Sequence, residues 1–331
     1  MVDTSQQIDA VITWLDGNDE KHRKKRLKTL QKEAKKRENE LTTGRDKTRF
    51  IDNGEFNYCI SSIKKFAPWI RKIHLVTDNQ VPDFLTDEMQ KQFNVNIVDH
   101  RDIFESYEWA LPTFNSRTIE TALWRIPDLA PNFIYFNDDF LLTKYVGPDE
   151  FFRNGSVVLR GKWRPIRKYG PLRLKWNKWF SYAVKRFLGI TRSMHLLLQI
   201  RSAKLAGLND KYYRAPHVPH PIHTKTLKNF YKKHPGLFQE NIKYRFRNTD
   251  QFSSIYLANH LEIAGQNAVL RNDDDFLMIN GETDFKIFLK MKLNWIANQK
   301  VKFVCVQGFE KFSEKQRNQV HRVFKQILGM E

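Results

Sequence analysis

Short apolar runs, each closed by a polar or acidic tail, divide the first half of the chain. Residues 8–15 surround Asp9 and Thr13 with apolar side chains and give way to Asp16-Gly17-Asn18-Asp19, which predicts a strand entering a turn. Residues 73–76 repeat the pattern before Thr77-Asp78-Asn79, and residues 95–98 before Asp99-His100. The most pronounced case is Phe133-Ile134-Tyr135-Phe136, followed by Asn137-Asp138-Asp139 and a second apolar run, Phe140-Leu141-Leu142. Continuous apolar runs of this kind suit strands buried on both faces. Between them the period changes. Phe56, Ile60 and Ile63 fall at helical spacing before Pro68, and Ile119, Leu123 and Ile126 do so behind a cap at Asn115 or Ser116. Further helices are predicted at 225–233, 252–261 and within 309–328, and a strand at 301–306. The alternation predicts an α/β fold, Rossmann-like, with a mostly parallel sheet flanked by helices. The polar strand ends then line one edge of the sheet, where ligands of such sheets bind.

Two stretches break the pattern. Residues 20–40 are dense in Lys, Arg and Glu, which predicts a solvated helix or mobile loop. Residues 160–214 carry fifteen lysines and arginines with interleaved tryptophan and phenylalanine, and Asp210 is their only acid. This reads as a basic, helical insertion within a single catalytic domain of residues 1–331. Hydrophobic content of 41% supports a core, and a net charge of +19 implies anionic partners. The insertion suits an anionic membrane surface or a polyanion. No zinc-finger spacing or RNP signature accompanies it, so nucleic acid is not the expected partner. Cys59 and Cys305 sit in apolar surroundings and read as reduced, buried thiols. With no apolar run of membrane-spanning length and no leader-like start, the expected location is cytoplasmic, with at most peripheral contact at the inner face of the membrane.

The chemistry concentrates in three places. Adjacent Asp138 and Asp139 at a strand end repel each other unless a cation intervenes, and a divalent metal (Mg²⁺ or Mn²⁺) carrying a nucleotide diphosphate is the natural one. His217, His220 and His223 are interrupted by Pro216, Pro219 and Pro221, which exclude a regular helix. One of these histidines is a candidate general base. Arg245 and Arg247 fall on one face if extended, and paired guanidinium groups suit a diphosphate. Asn115, Arg117 and Glu120 are within plausible reach of the same edge.

Together these motifs resemble the signature blocks of the Stealth family of sugar-phosphate transferases. Residues 8–16 resemble the first block, with Thr13-Trp14 and Asp16, and Gly17 follows. Residues 49–100 resemble the second, with Arg49, Asp52, Asp78-Asn79-Gln80 and Asp99-His100. Residues 111–151 resemble the third, with Pro112-Thr113-Phe114-Asn115-Ser116 and Asn137-Asp138-Asp139. Residues 217–250 resemble the fourth. The resemblance implies transfer of a sugar-1-phosphate from a nucleotide sugar, expected to be a UDP-sugar, to a hydroxyl of a capsular or cell-surface polysaccharide, free or lipid-linked. A phosphodiester forms and nucleoside monophosphate is released. It places metal binding on Asp138 and Asp139, and the catalytic histidine on His217. It places the phosphate-binding arginine on Arg245, with Arg247 close behind. The expected donor-binding residues are Trp14, Asp16, Gly17, Arg49, Asp52, Asp78, His100, Asn115 and Arg247. Two rival readings fit the same acidic strand end: a metal-dependent glycosyltransferase releasing nucleoside diphosphate, and a non-enzymatic polyanion- or membrane-binding protein.

Overall fold

The computed structural model describes residues 7–33, 54–166 and 195–330. Strand β1 (Ile8–Thr13) leads to helix α1 (Glu20–Lys32), and α2 (Glu55–Phe66) leads to β2 (Ile73–Thr77). Next come α3 (Asp87–Phe93), β3 (Val95–Asp99), α4 (His100–Ile103), α5 (Ser116–Ala122) and β4 (Asn132–Asn137). Past the acidic turn lie β5 (Phe140–Leu142), β6 (Phe152–Arg153), β7 (Ser156–Arg160) and β8 (Lys162–Pro165). The described chain resumes with α6 (His195–Leu205), β9 (Lys211–Arg214), β10 (His220–His223), α7 (Thr224–Lys233), α8 (Pro235–Ile242) and α9 (Ser254–Ala264). It ends with β11 (Ala268–Arg271), β12 (Phe276–Asn280), α10 (Lys286–Ala297), β13 (Phe303–Gln307) and α11 (Glu314–Leu328).

The central sheet has the order β10-β4-β1-β2-β3. Strands β4, β1, β2 and β3 are parallel, and β10 closes the sheet antiparallel to β4. Successive residues of a strand face opposite sides, and both sides are covered here. Ala10, Ile12, Leu75, Ile134 and Phe136 pack in one core with α2, α10, α11 and the strands β5, β12 and β13. Val11, Val76, Phe133 and Tyr135 pack in a second core with α5, α7, α8 and α9. The fold is therefore α/β, with a mostly parallel sheet between helical layers.

Strand β13 pairs parallel with β12 and antiparallel with β5, which ties the C-terminal part of the chain to the strand that follows Asp138-Asp139. Of the basic stretch 160–214, residues 167–194 lie outside the described residues. Its flanks β8 and β9 form an antiparallel ribbon, with Lys162 opposite Arg214. Helix α6 is anchored where Ser202 Oγ donates to Ser253 O at 2.8 Å and Gln199 exchanges hydrogen bonds with Ala215. Helix α1 differs from the expectation of a fully solvated segment. His22 and Arg26 are buried, and the His22 ring meets Phe114 edge-on at 5.2 Å.

Asp9, the one acid in the β1 pattern, is fully buried at the end of the sheet remote from the acidic turn. Its carboxylate accepts from Arg71 Nε at 2.8 Å and Nη2 at 2.6 Å, and from the Ala130 amide at 2.9 Å, with His74 Nε2 at 3.0 Å. Burial alone would raise its pKa; the Arg71, His74 and Ala130 partners outweigh burial and hold it below the usual carboxylate range. A depressed folded-state pKa contributes stability that is present above the ordinary Asp value and lost as pH falls through the folded value. Asp9→Ala should cost about 3–5 kcal/mol, because it strands buried cationic and polar partners. Denaturant melts at neutral pH check this, and the gap between wild type and variant should shrink in acid, below the ordinary Asp pKa.

Candidate active site

The parallel strands β1, β2, β3 and β4 end on one edge, and antiparallel β10 begins there. The register sets His220 opposite Tyr135 and His223 opposite Asn132. The loop holding His217 therefore enters the sheet beside the end of β4, where Asp138 and Asp139 lie.

Asp139 is partly exposed, but its Oδ1 is buried with no hydrogen-bond partner among the described residues. Its Oδ2 accepts from Cys305 Sγ at 3.5 Å, and its carbonyl accepts from the Val306 amide at 2.9 Å. Burial, helped by the negative charge of Glu55 and opposed by Cys305, pushes its pKa up to about 7. On the other side Cys59 Sγ donates to Asn137 O at 3.6 Å. Burial first, then the two aspartates, raise both thiols, so they stay protonated hydrogen-bond donors. Among the described residues no group of three or more His, Cys, Asp or Glu could hold a metal ion by itself. Two hard carboxylates, one with an orphaned buried oxygen, nevertheless fit a cation of the Mg²⁺ or Mn²⁺ type whose remaining positions go to phosphate and water.

His217 is half-buried. Burial and the nearby Arg214 cation hold it below the ordinary histidine pKa, so it is neutral at neutral pH. His220 and His223 lie in strand β10 itself. Buried His220 receives Asn259 Nδ2 on its Nδ1 at 3.2 Å and packs edge-on against Tyr256. His223 Nδ1 lies 2.9 Å from Glu262 Oε1. A spacing of three residues does not separate these roles; only the pairing of β10 does.

Between the histidine loop and β1 lies a polar relay. Thr13 Oγ1 and the Tyr135 hydroxyl are 3.1 Å apart, the hydroxyl donates to Glu120 Oε1 at 3.5 Å, and Ser253 Oγ donates to Glu120 Oε2 at 3.4 Å. Burial raises the Glu120 pKa, while the Arg247 and Arg117 cations oppose that rise. The two expected phosphate-binding arginines do not share a target. Phe246 between them stacks on Phe114 at 5.4 Å. Arg245 Nη2 donates to Trp109 O, and its Nε lies 3.8 Å from Glu33 Oε1. Arg247 Nη2 donates to Ser116 Oγ at 2.8 Å on the Glu120 side.

The turn after β1 is laced to the end of β2: Gln80 Oε1 accepts from the Asp16 amide at 3.0 Å, and Gln80 Nε2 donates to Asp16 O at 2.9 Å. Gly17 is buried in this turn. Asp78 accepts Lys25 Nζ through both oxygens, at 2.7 and 2.8 Å, which docks α1 on the edge. His100, buried with its Nδ1 lacking a partner among the described residues, is pushed down to about 4 by burial despite the nearby Asp78 and Asp99 carboxylates. Two expected donor-binding residues are buried. Trp14 is a core residue whose ring lies 5.7 Å from Phe56. Asn115 is fully buried: it caps α5, and its Nδ2 is shared among Tyr244 O, Phe246 O and Gln251 Oε1 at 2.9–3.1 Å. Arg49 and Asp52 lie outside the described residues. Sequence reasoning quoted Gln80 only within a motif, and gave Tyr135, Ser253 and Gln251 no role at the site. Of these only Gln80 left a local sign, next to the Asp78-Asn79 turn.

Residues 49–159 match the model of Stealth protein conserved region 2. It is similar to the capsular polysaccharide phosphotransferase fcs1 of Haemophilus influenzae, 40% identical over 158 residues, which cover 48% of this chain and 41% of that one. It is also similar to the exopolysaccharide phosphotransferase cps2G of Lactiplantibacillus plantarum, 28% identical over 268 residues, covering 77% of this chain and 75% of that one. The match to fcs1 thus spans less than half of that relative. Among solved structures, the galactosyltransferase LgtC in complex with donor and acceptor sugar analogs aligns over 97% of this chain and 95% of that chain, at TM-score 0.42 and 10% identity, a likeness too distant to transfer any residue's role.

Asn115 tests the distinction between placing and binding. Asn115→Ala should cost about 1–3 kcal/mol, because it leaves buried carbonyls unpaired. A denaturant melt checks this, and an unchanged unfolding midpoint would return Asn115 to the list of ligand contacts.

Proposed function

We propose that the protein transfers a sugar-1-phosphate from a nucleotide sugar, in the first instance a UDP-sugar, to a hydroxyl of a capsular or cell-surface polysaccharide. The observation that carries this reading is the antiparallel entry of β10, which sets a half-buried, neutral His217 on the edge where β4 ends in Asp138-Asp139. The names of the similar proteins, capsular and exopolysaccharide phosphotransferases, support the same reaction class.

In this reading the acceptor oxygen attacks the phosphorus that carries the sugar. The new P–O bond forms as the bond to the bridging oxygen breaks, and nucleoside monophosphate leaves. The sugar C1–O bond stays intact, so its anomeric configuration is kept. His217 takes the hydroxyl proton, which its lowered pKa permits at neutral pH. Asp138 and Asp139 would hold a divalent cation, and that cation would neutralise charge on the diphosphate. Asp16, Gly17, Asp78 and His100 form the wall where the nucleotide is expected, and Arg214, Arg245 and Arg247 supply positive charge. Arg247 is the better candidate for the diphosphate, because it lies on the Glu120 and Ser116 side, while Arg245 turns to Glu33 and Trp109. Arg49 and Asp52 remain assigned to the donor by their motif alone.

Incubation with UDP-sugar, acceptor and Mg²⁺ or Mn²⁺ should release UMP, read by chromatography of the nucleotides, and UDP as the nucleotide product would contradict phosphotransfer. His217→Ala should lower kcat by about 10²–10⁴-fold with a smaller effect on donor affinity, while His220→Ala and His223→Ala should act first on stability. The acid limb of kcat/KM should fall below pH 6.5, because the base stays neutral down to its depressed pKa; a limb above that value would remove His217 from the role.

A further inference from the structure

Helix α10 carries two apolar stripes. At 3.6 residues per turn, Leu289, Leu293 and Ile296 fall together and are buried in the core. Ile287, Phe288, Met291 and Trp295 fall on a separate face, and Phe285 caps the helix beside them. These are open to solvent, with Phe285 76% and Ile287 80% exposed. The helix is thus fixed to the domain by one stripe and presents the other outward. Exposed aromatic and branched aliphatic residues gathered on one helix face mark an interaction surface and not ordinary surface scatter.

The charges around this face say what it meets. Residues 286–300 contain Lys286, Lys290, Lys292 and Lys300 and no acid. Lys292 is neutralised, donating to Asp284 Oδ1 at 2.6 Å and to Met278 O at 2.8 Å. Lys286, Lys290 and Lys300 are exposed. Glu282 and Asp284 are confined to the turn before the helix. A shallow groove of about 240 Å³ alongside, between α10 and α11, is edged by Lys290 and Arg322. A second copy docked face to face would bring lysines against lysines. An anionic lipid surface instead accepts the apolar side chains below the headgroups and the lysines among them, and tryptophan favours that depth.

We propose that the α10 face, Phe285 to Trp295, is a docking surface for an anionic bilayer, seating the domain peripherally with α10 lying in the headgroup plane. The proposal is independent of the reaction, because its test reads lipid binding and not turnover. The full chain should co-sediment with vesicles of phosphatidylcholine mixed with phosphatidylglycerol, weakly with phosphatidylcholine alone, and less as salt rises. Combined Ile287→Ser, Phe288→Ser and Trp295→Ser should weaken binding by about tenfold or more. Lys286→Gln with Lys290→Gln, which leaves the apolar face whole, should weaken it by about fivefold per lysine. On anionic vesicles wild type should show a blue-shifted emission component that Trp295→Phe lacks. The proposal is overturned if wild type does not bind these vesicles. It is equally overturned if both α10 variants bind as wild type while Lys175, Lys178, Lys185 and Arg186 changed to Gln abolish binding. Concentration-dependent self-association that the triple variant removes, without vesicle binding, would assign the face to a second copy instead.

Discussion

The pairing of β10 with β4 is the constraint on which the site depends. Four parallel strands place their carboxyl ends on one edge, and a fifth parallel strand would have brought its own trailing loop there. The reversed direction of β10 instead delivers the loop that leads into it, Ala215 to Pro219, to that edge. Pro216 and Pro219 keep this segment from coiling, and Pro221 follows in β10, so the ladder with β4 fixes its register. One histidine is left half-buried at the edge, and the other two are used as packing and hydrogen-bonding residues. A one-residue slip would exchange these roles, because alternate residues of a strand face opposite sides.

The acidic end of β4 is built from the opposite direction. Strand β13 lies antiparallel to β5, so Cys305 reaches Asp139 and the Val306 amide holds its carbonyl. The C-terminal third of the chain therefore supports a carboxylate that belongs to its middle. The same third exposes the outer face of α10.

Much of the sheet was legible in the sequence because strands buried on both faces read as unbroken apolar runs, as at 73–76 and 133–136. The short strands β6, β7, β11 and β12 were not. Strands β6, β11 and β12 are short or partly exposed, and β7, though buried, pairs with β11 more than a hundred residues away. Asn115 was legible as a helix cap but not as a buried hub, because the carbonyls it holds come from the chain near Arg245. Arg245 and Arg247 alternate as a pair should, yet Phe246 stacks inward on Phe114 and the arginines turn to different partners. The outer stripe of α10 is indistinguishable by composition from a core stripe; only the position of the helix at the rim of the fold exposes it.

The central claim is that the bond broken is at phosphorus, with His217 and the Asp138-Asp139 end acting on one diphosphate. The most direct measurement follows a donor radiolabelled at the phosphate that bears the sugar. If that phosphorus is attacked, the label enters the acceptor polymer as a phosphodiester and its transfer vanishes in His217→Ala. If the label stays wholly with the released nucleotide while sugar is still transferred, the reaction takes place at carbon and the account is wrong.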